Sequence, residues 1–256
     1  MAGSTITKHT TGAPAGLFAV EAAGLRWLAA AGPDAVPVAE VVDVGEDHLE
    51  LQRLESVPPT RTAAESFGRR LAATHDAGAP GWGCPPEGIS SEDAWIGDLP
   101  QRNVIEQSWG AMYAEHRVLH PARIAHRQGV LDDSDLAEVG RLAERLVAGD
   151  FDDDSNPARI HGDLWSGNVI PTADGFALID PAAHGGHRIT DLAMLDLFGN
   201  PHLDATWAAY EEASTQLPDQ WRELVELHQV HPLLVHTALF GGGYAGRAMA
   251  AVRRYR

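Results

Sequence analysis

The stretch His161-Gly162-Asp163-Leu164-Trp165-Ser166-Gly167-Asn168-Val169-Ile170 crowds four polar side chains and a tryptophan into ten residues. A core segment has no use for His161, Asp163 and Asn168 so close together, and a plain surface turn has no use for Trp165. Asp163 and Asn168 stand five positions apart, and a further carboxylate, Asp180, precedes Pro181. Oxygen donors of this kind suit a hard divalent cation. A carboxylate base beside such donors fits transfer of a phosphoryl group, which needs an oriented hydroxyl, a base near it and cations on the phosphates.

These groups work together only if the backbone converges them. Val169-Ile170, the Asp174-Gly175 turn and the run 176–179 predict a hairpin with Asp180 at its far end. Side chains alternate across paired strands, so Asn168 and Asp180 can meet at one end of it. Upstream, residues 4–8 predict a short strand carrying Lys8, residues 11–14 a loop, and residues 15–31 a helix carrying Glu21 and ending at Gly32-Pro33. Two strands follow around the Gly45-Glu46-Asp47 turn, and Pro58-Pro59 marks a hinge. From Thr60 onward the pattern is mainly helical, with one helix ending at Gly78, helices over 103–119 and 135–148, and three or four more over 191–252. Asp135 and Glu138 have the spacing of a capping box at the start of the second of these. The segment 79–101 reads as a long loop, a kind that is usually functional or held by its own packing. The expected fold is therefore α+β and two-lobed, with residues 1–58 as a small mixed lobe and residues 59–256 as a helical lobe.

Composition narrows the partners. The net charge of −17 argues against nucleic acid. No apolar run approaches the length of a membrane span and no signal-peptide pattern opens the chain, so the expected location is the cytoplasm. Cys84 is the single cysteine, which excludes an internal disulfide and a thiolate zinc site. The chain has 18 arginines and one lysine, Lys8. Arginine replaces lysine on most surfaces but not where a compact ammonium must sit on an oxyanion in a tight pocket. In protein kinases a strand lysine holds the nucleotide phosphates and pairs with a helix glutamate, ahead of an Asp-x-x-x-x-Asn loop and a second aspartate. Lys8, Glu21, Asp163, Asn168 and Asp180 stand in that order.

The loop "HGDLWSGNVI" resembles the catalytic loop of the fructosamine kinase (ketosamine kinase) family, whose HGDLW-x-GN is more specific than the pattern shared with aminoglycoside and choline kinases. The resemblance continues through "LIDPAAHGGHRITDLAMLDLFG" at 178–199 and through "LFAVEAAGLRWL", "FGRRLAATH" and "WGAMYAEHRV", covering nearly the whole chain. It implies a protein-kinase-like fold, ATP and Mg²⁺ as cofactors, and phosphorylation of the 3-hydroxyl of ribulosamines or fructosamines. It implies Asp163 as base, Asn168 and Asp180 as metal ligands, Lys8 and Glu21 as the nucleotide clamp, and the backbone from Gln52 to Leu54 as the adenine contact. Trp165 then lies near the acceptor, and His184, His187 and Arg188 are candidates to line the acceptor site, with Arg117 a weaker one. The implied partner is a small or protein-bound ketosamine, and the expected assembly a monomer or dimer.

Two departures bear on activity. Only seven residues precede Lys8, too few for the two strands and glycine-rich turn that cover the phosphates in the family, so a partial small lobe is expected. Ile189 replaces the family's glutamate after Gly-His-Arg. Two other readings therefore stay open: a catalytically impaired remnant that still binds its ligand, and a kinase of another small hydroxyl compound such as an aminoglycoside or choline.

Overall fold

The computed structural model describes residues 4–9, 14, 16–90 and 94–256. Strand β1 (Thr5–His9), helix α1 (Leu17–Ala29), and strands β2 (Val41–Val44) and β3 (His48–Gln52) open the fold. The three strands form one antiparallel sheet in the order β1-β3-β2, with Lys8 opposite Leu49. One face of α1 carries Phe18, Ala22 and Leu25, which pack on Ala39, Leu49 and Leu51 as a small separate core. The predicted loop at 11–14 lies outside the described residues except for Pro14.

Helix α2 (Arg61–Asp76) starts where Thr60 accepts a hydrogen bond from the Ala63 N–H, a side-chain cap that replaces a missing intrahelical partner. The segment 79–101 is not wholly loop. It holds a short hairpin, β4 (Ala94–Ile96) and β5 (Leu99–Gln101), with Gly97 at φ 56° in its turn. Three residues per strand is too short a run for period-two alternation to stand out.

The predicted helix at 103–119 begins only at Trp109, because Ser108 caps it by accepting from Ala111. It then runs on as α3 (Trp109–Met112), a π-helical stretch (Tyr113–Leu119) and α4 (His120–Arg127). Helix α5 (Asp133–Val147) does have a capping box, but Asp132 caps it and Asp135 is the reciprocal partner. The pairing expected for Asp135 and Glu138 is thus one turn too late.

Beyond α5, strand β6 (Ala158–Ile160) pairs with β9 (His184–Gly186), and β7 (Val169–Thr172) pairs with β8 (Gly175–Leu178) as the predicted hairpin. A 3₁₀ turn (Ser166–Asn168) leads into β7. Helices α6 (Arg188–Leu197), α7 (Leu203–Ala213), α8 (Val225–His228), α9 (Val230–Phe240) and α10 (Gly242–Tyr255) complete the chain, with a 3₁₀ turn at Trp221–Leu224. Among the described residues no helix is long and apolar enough to cross a membrane.

Two apolar cores hold this larger part. Phe67, Leu71, Leu164, Leu178, Leu192 and Tyr210 belong to the first, which therefore anchors the 161–170 loop through Leu164 and Val169. Met112, Tyr113, Val118, Leu142, Leu234 and Val252 belong to the second, between α3–α5 and α9–α10. Helices α2 and α7 approach closely because a Cβ on Gly68 would stand 2.2 Å from the Thr206 carbonyl oxygen. Ile189 is fully buried in the first core, so an apolar side chain there is satisfied by packing.

Candidate active site

The loop at 161–168 is held from below by a buried carboxylate. Asp191 on α6 accepts from the backbone N–H groups of His161 (2.7 Å) and Gly162 (2.9 Å), and its Oδ2 lies 3.1 Å from His75 Nε2. His75 Nδ1 in turn meets the Tyr210 hydroxyl at 2.7 Å. Burial opposes charge on Asp191, yet the hydrogen bonds and the facing imidazoles lower its pKa. Gly162 has φ 82°, and a Cβ there would stand 2.3 Å from the Ala182 carbonyl oxygen. Only glycine fits this close approach in the left-handed region. His161 closes the loop by placing Nε2 2.8 Å from the Ile179 carbonyl.

Asn168 donates its side-chain amide to the Asp163 carbonyl oxygen at 2.9 Å and to its carboxylate at 3.0 Å. The same amide lies 3.4 Å from the Asp180 carbonyl, so base, amide and second carboxylate share one corner. Asp180 stands past the end of β8 with φ 54°. Burial pushes the Asp163 carboxyl up to about 7, reinforced by Asp180 and Asp191 and opposed by the Asn168 hydrogen bond. A general base is most effective with a pKa near the working pH.

Lys8 reaches into this corner from β1. Its Nζ lies 2.7 Å from Glu21 Oε1 and also contacts Asp180 Oδ1. Burial works against the lysine charge, but the two carboxylates outweigh it and raise its pKa. Glu21 is pushed up to about 7 by its burial on α1, with Lys8 acting in the opposite direction.

A cleft of about 300 Å³ opens over these groups, lined by Lys8, Glu21, Asp163, Trp165, Asn168 and Asp180 together with residues of α1 and the β4–β5 hairpin. Trp165 is 41% exposed in its wall. Its ring lies over Gly167, where a Cβ would clash at 2.2 Å, and meets Phe198 edge-on at 6.3 Å. Glycine at 167 thus allows the tryptophan to fold back over its own loop.

Other predicted site residues do not reach the cleft. His184 is buried, its Nε2 accepting from Arg117 at 3.3 Å and its Nδ1 2.9 Å from the Ala182 carbonyl. His187 is buried against Trp82 and pairs with Asp153 at 3.2 Å. Arg188 is buried and pairs with Asp76 at 2.6 Å. Their position after Asp180 makes all three candidates for the acceptor site. Strand β9 and the start of α6 instead turn them into the body of the larger lobe, where they make packing and buried polar contacts. Arg117 is likewise buried and donates to the Arg102 carbonyl and to Asn103.

Gln52 ends β3, and its N–H donates to the Glu40 carbonyl at 2.8 Å while the Arg53 N–H donates to Ser4 at 2.9 Å. Both N–H groups are thus committed to the sheet, which leaves carbonyl oxygens and Leu54 for any adenine contact. Sequence reasoning does not single out Asp191, Trp95 or Asp98. Asp191 lies within the family-like segment 178–199, whereas Trp95 and Asp98 lie in a stretch that reads as loop.

Residues 6–256 match the fructosamine kinase family. The chain belongs to the fructosamine kinase family. It is 32% identical over 244 residues to a probable ketoamine kinase of Synechocystis sp., covering 93% of this chain and 78% of that protein. A solved structure named as a fructosamine-3-kinase, from Thermobifida fusca YX-ER1, superposes with TM-score 0.88 at 42% identity, covering 97% of this chain and 84% of the other. An aminoglycoside phosphotransferase in complex with ADP and hygromycin B superposes with TM-score 0.57 at 18% identity, over 91% of this chain and 82% of that one, which is likeness of fold. The fold is accordingly the two-lobed protein-kinase-like one, mixed α and β. The chain is a kinase that uses ATP to phosphorylate a hydroxyl group, within a family acting on sugar-amines.

The oxygen donors fit a magnesium ion as a partial shell. Among the described residues no three His, Cys, Asp or Glu side chains form a metal cage. Mg²⁺ commonly takes one or two protein carboxylates and completes its shell with phosphates and water. The Asp180 carboxylate and the free amide oxygen of Asn168 match that demand.

Proposed function

We propose that this chain is an ATP- and Mg²⁺-dependent ketosamine kinase that phosphorylates the 3-hydroxyl of ribulosamine or fructosamine adducts, a step in deglycation. The observation that carries this reading is the convergence of Asp163, Asn168, Asp180, Lys8 and Glu21 in one cleft walled by Trp165. Residues 1–58 form the nucleotide-side lobe and residues 59–256 the acceptor-side lobe.

Asp163 accepts the proton of the attacking hydroxyl, and its raised pKa keeps it a competent base near neutrality. Asn168 orients that carboxylate by its amide N–H, which leaves its amide oxygen for a metal ion. Asp180 and Asn168 would hold Mg²⁺, which would supply neutralisation of the charge on the phosphates. Lys8 sits between Glu21 and Asp180, from where its ammonium can move onto a phosphate oxygen while Glu21 keeps it in place. Gln52 and Leu54, at the end of β3, would flank the adenine of ATP. Trp165 offers a flat apolar face to the sugar, and its place in the HGDLW-x-GN motif favours a ketosamine over an aminoglycoside or choline.

The test is phosphate transfer from ATP to ribulosyl- and fructosyl-amines by the full chain. Turnover that needs a divalent cation and is lost in Asp163→Asn, with ATP binding intact, supports the reading. Equal inertness of wild type and Asp163→Asn under saturating ATP binding overturns it and favours an impaired binding remnant.

A further inference from the structure

The β4–β5 hairpin supplies part of the cleft that the catalytic groups do not account for. Trp95, Ile96, Gly97 and Asp98 line the same cavity as Asp163 and Trp165. The other charged groups there are already matched. Lys8 is shared by Glu21 and Asp180, and Asp163 takes the Asn168 amide. Asp98 is exposed at the turn and, among the described residues, has no hydrogen-bond or ion-pair partner. The indole N–H of Trp95 is buried and has no acceptor among the described residues.

The hairpin is also held rigidly, as a recognition element must be. Ile96 and Leu99 are buried in the larger apolar core. Gln101 at its end donates to the Ala182 carbonyl at 3.3 Å and to Asn103 Oδ1 at 3.2 Å. Asn103 accepts from Arg117 at 2.7 Å, Arg117 donates to His184, and His184 returns to Ala182. This closed ring of buried polar groups fastens the hairpin to the backbone that follows Asp180. β4 also packs against α1, the helix that carries Glu21.

We infer that Asp98 is a specificity-determining residue, the counter-ion for the protonated secondary amine of the substrate, with Trp95 and Trp165 flanking the alkyl chain it bears. This rests on reading the cleft as a ketosamine site. A ketosamine differs from the parent ketose by that amine, which is a cation at neutral pH. A carboxylate beside indole rings is a chemical match for an alkylammonium. The acceptor hydroxyl of such a substrate lies only two carbons from the carbon bearing the amine, so base and counter-ion must share one cleft, as Asp163 and Asp98 do.

The experiment compares wild type, Asp98→Asn and Asp98→Lys on a fructosyl- or ribulosyl-alkylamine and on its N-acetylated form, which keeps the sugar and loses the charge. For the amine substrate, Asp98→Asn raises KM about three- to fivefold with kcat nearly unchanged, the scale of one partly solvated ion pair. Asp98→Lys raises it further. Neither variant moves KM for the N-acetylated compound. A wild-type KM in Asp98→Asn, or an equal rise on both substrates, overturns this inference while turnover by the wild type leaves the ketosamine reading standing. A wild type inert toward every ketosamine overturns the functional reading and this inference with it.

Discussion

Asn168 holds the Asp163 side chain through its own side-chain amide, at 3.0 Å, from five residues further along the same loop. The pair makes a carboxylate that is buried, oriented and expensive to ionise. Its raised pKa means that the folded chain binds a proton which the unfolded chain releases between the ordinary carboxylate pKa and about 7. Above that window the ionised form costs stability. Asp163→Asn removes the charge while keeping an oxygen to accept from Asn168. The variant should lose turnover and gain roughly 1–3 kcal/mol of stability at pH 7.5, read as a higher midpoint in denaturant. A midpoint below wild type would contradict the buried-charge account.

The same carboxyl sets a pH dependence for catalysis. Asp163 must be ionised to accept a proton, so kcat/KM should fall as pH drops through about 7, with a slope approaching one decade per pH unit. A profile flat from pH 6 to 8 would remove Asp163 from the role of base.

Lys8→Arg tests the need for a compact ammonium. Lys8 Nζ reaches Glu21 and Asp180 together, a geometry that a wider guanidinium fork does not reproduce. The expected outcome is a drop of about 10- to 100-fold in kcat/KM for ATP, the scale of losing one well-placed charge on the phosphates. Glu21→Gln should reduce it less, since the lysine keeps Asp180. Wild-type kinetics in Lys8→Arg would show that position 8 needs only positive charge.

Acid should weaken the fold well before ordinary carboxylates titrate. His75, His161, His184, His228 and His231 are buried, and burial lowers the pKa of each. The folded chain thus holds fewer protons than the unfolded one below the ordinary histidine pKa. Stability is complete above that value and falls as pH drops toward the lowered ones. One histidine pinned at about 3, as His231 is, withdraws about 2 kcal/mol between pH 6.5 and 5. The thermal midpoint should therefore decline steeply over that interval, and a constant midpoint would show that these imidazoles protonate without unfolding.

The chemistry is legible where it is written in contiguous residues. The 161–170 loop, the hairpin after it and Asp180 carry their geometry in local spacing, and Lys8 stands out because every other basic side chain of its kind is an arginine. The route of the chain after Asp180 is not legible. His184, His187 and Arg188 look like site residues by type, but β9 pairs with β6 and turns them inward, a long-range choice with no local mark. The β4–β5 hairpin escapes for the opposite reason. Its strands are too short to show a period, and their order comes from Gln101, Ala182 and Arg117, residues far apart in sequence.

Asp180 takes up a left-handed backbone conformation, φ 54°, in the act of facing Lys8. Few side chains tolerate that conformation, and aspartate, asparagine and glycine are the ones that adopt it readily. Alanine at 180 would distort the main chain as well as delete the carboxylate, so inactivity of Asp180→Ala would have two causes that the assay cannot tell apart. Asparagine separates them. The same constraint governs drift over generations: the position has two structurally quiet exits, and both discard the negative charge. On the proposed role of Asp180, a lineage that leaves aspartate here by either exit spares the backbone and gives up its metal ligand in a single step.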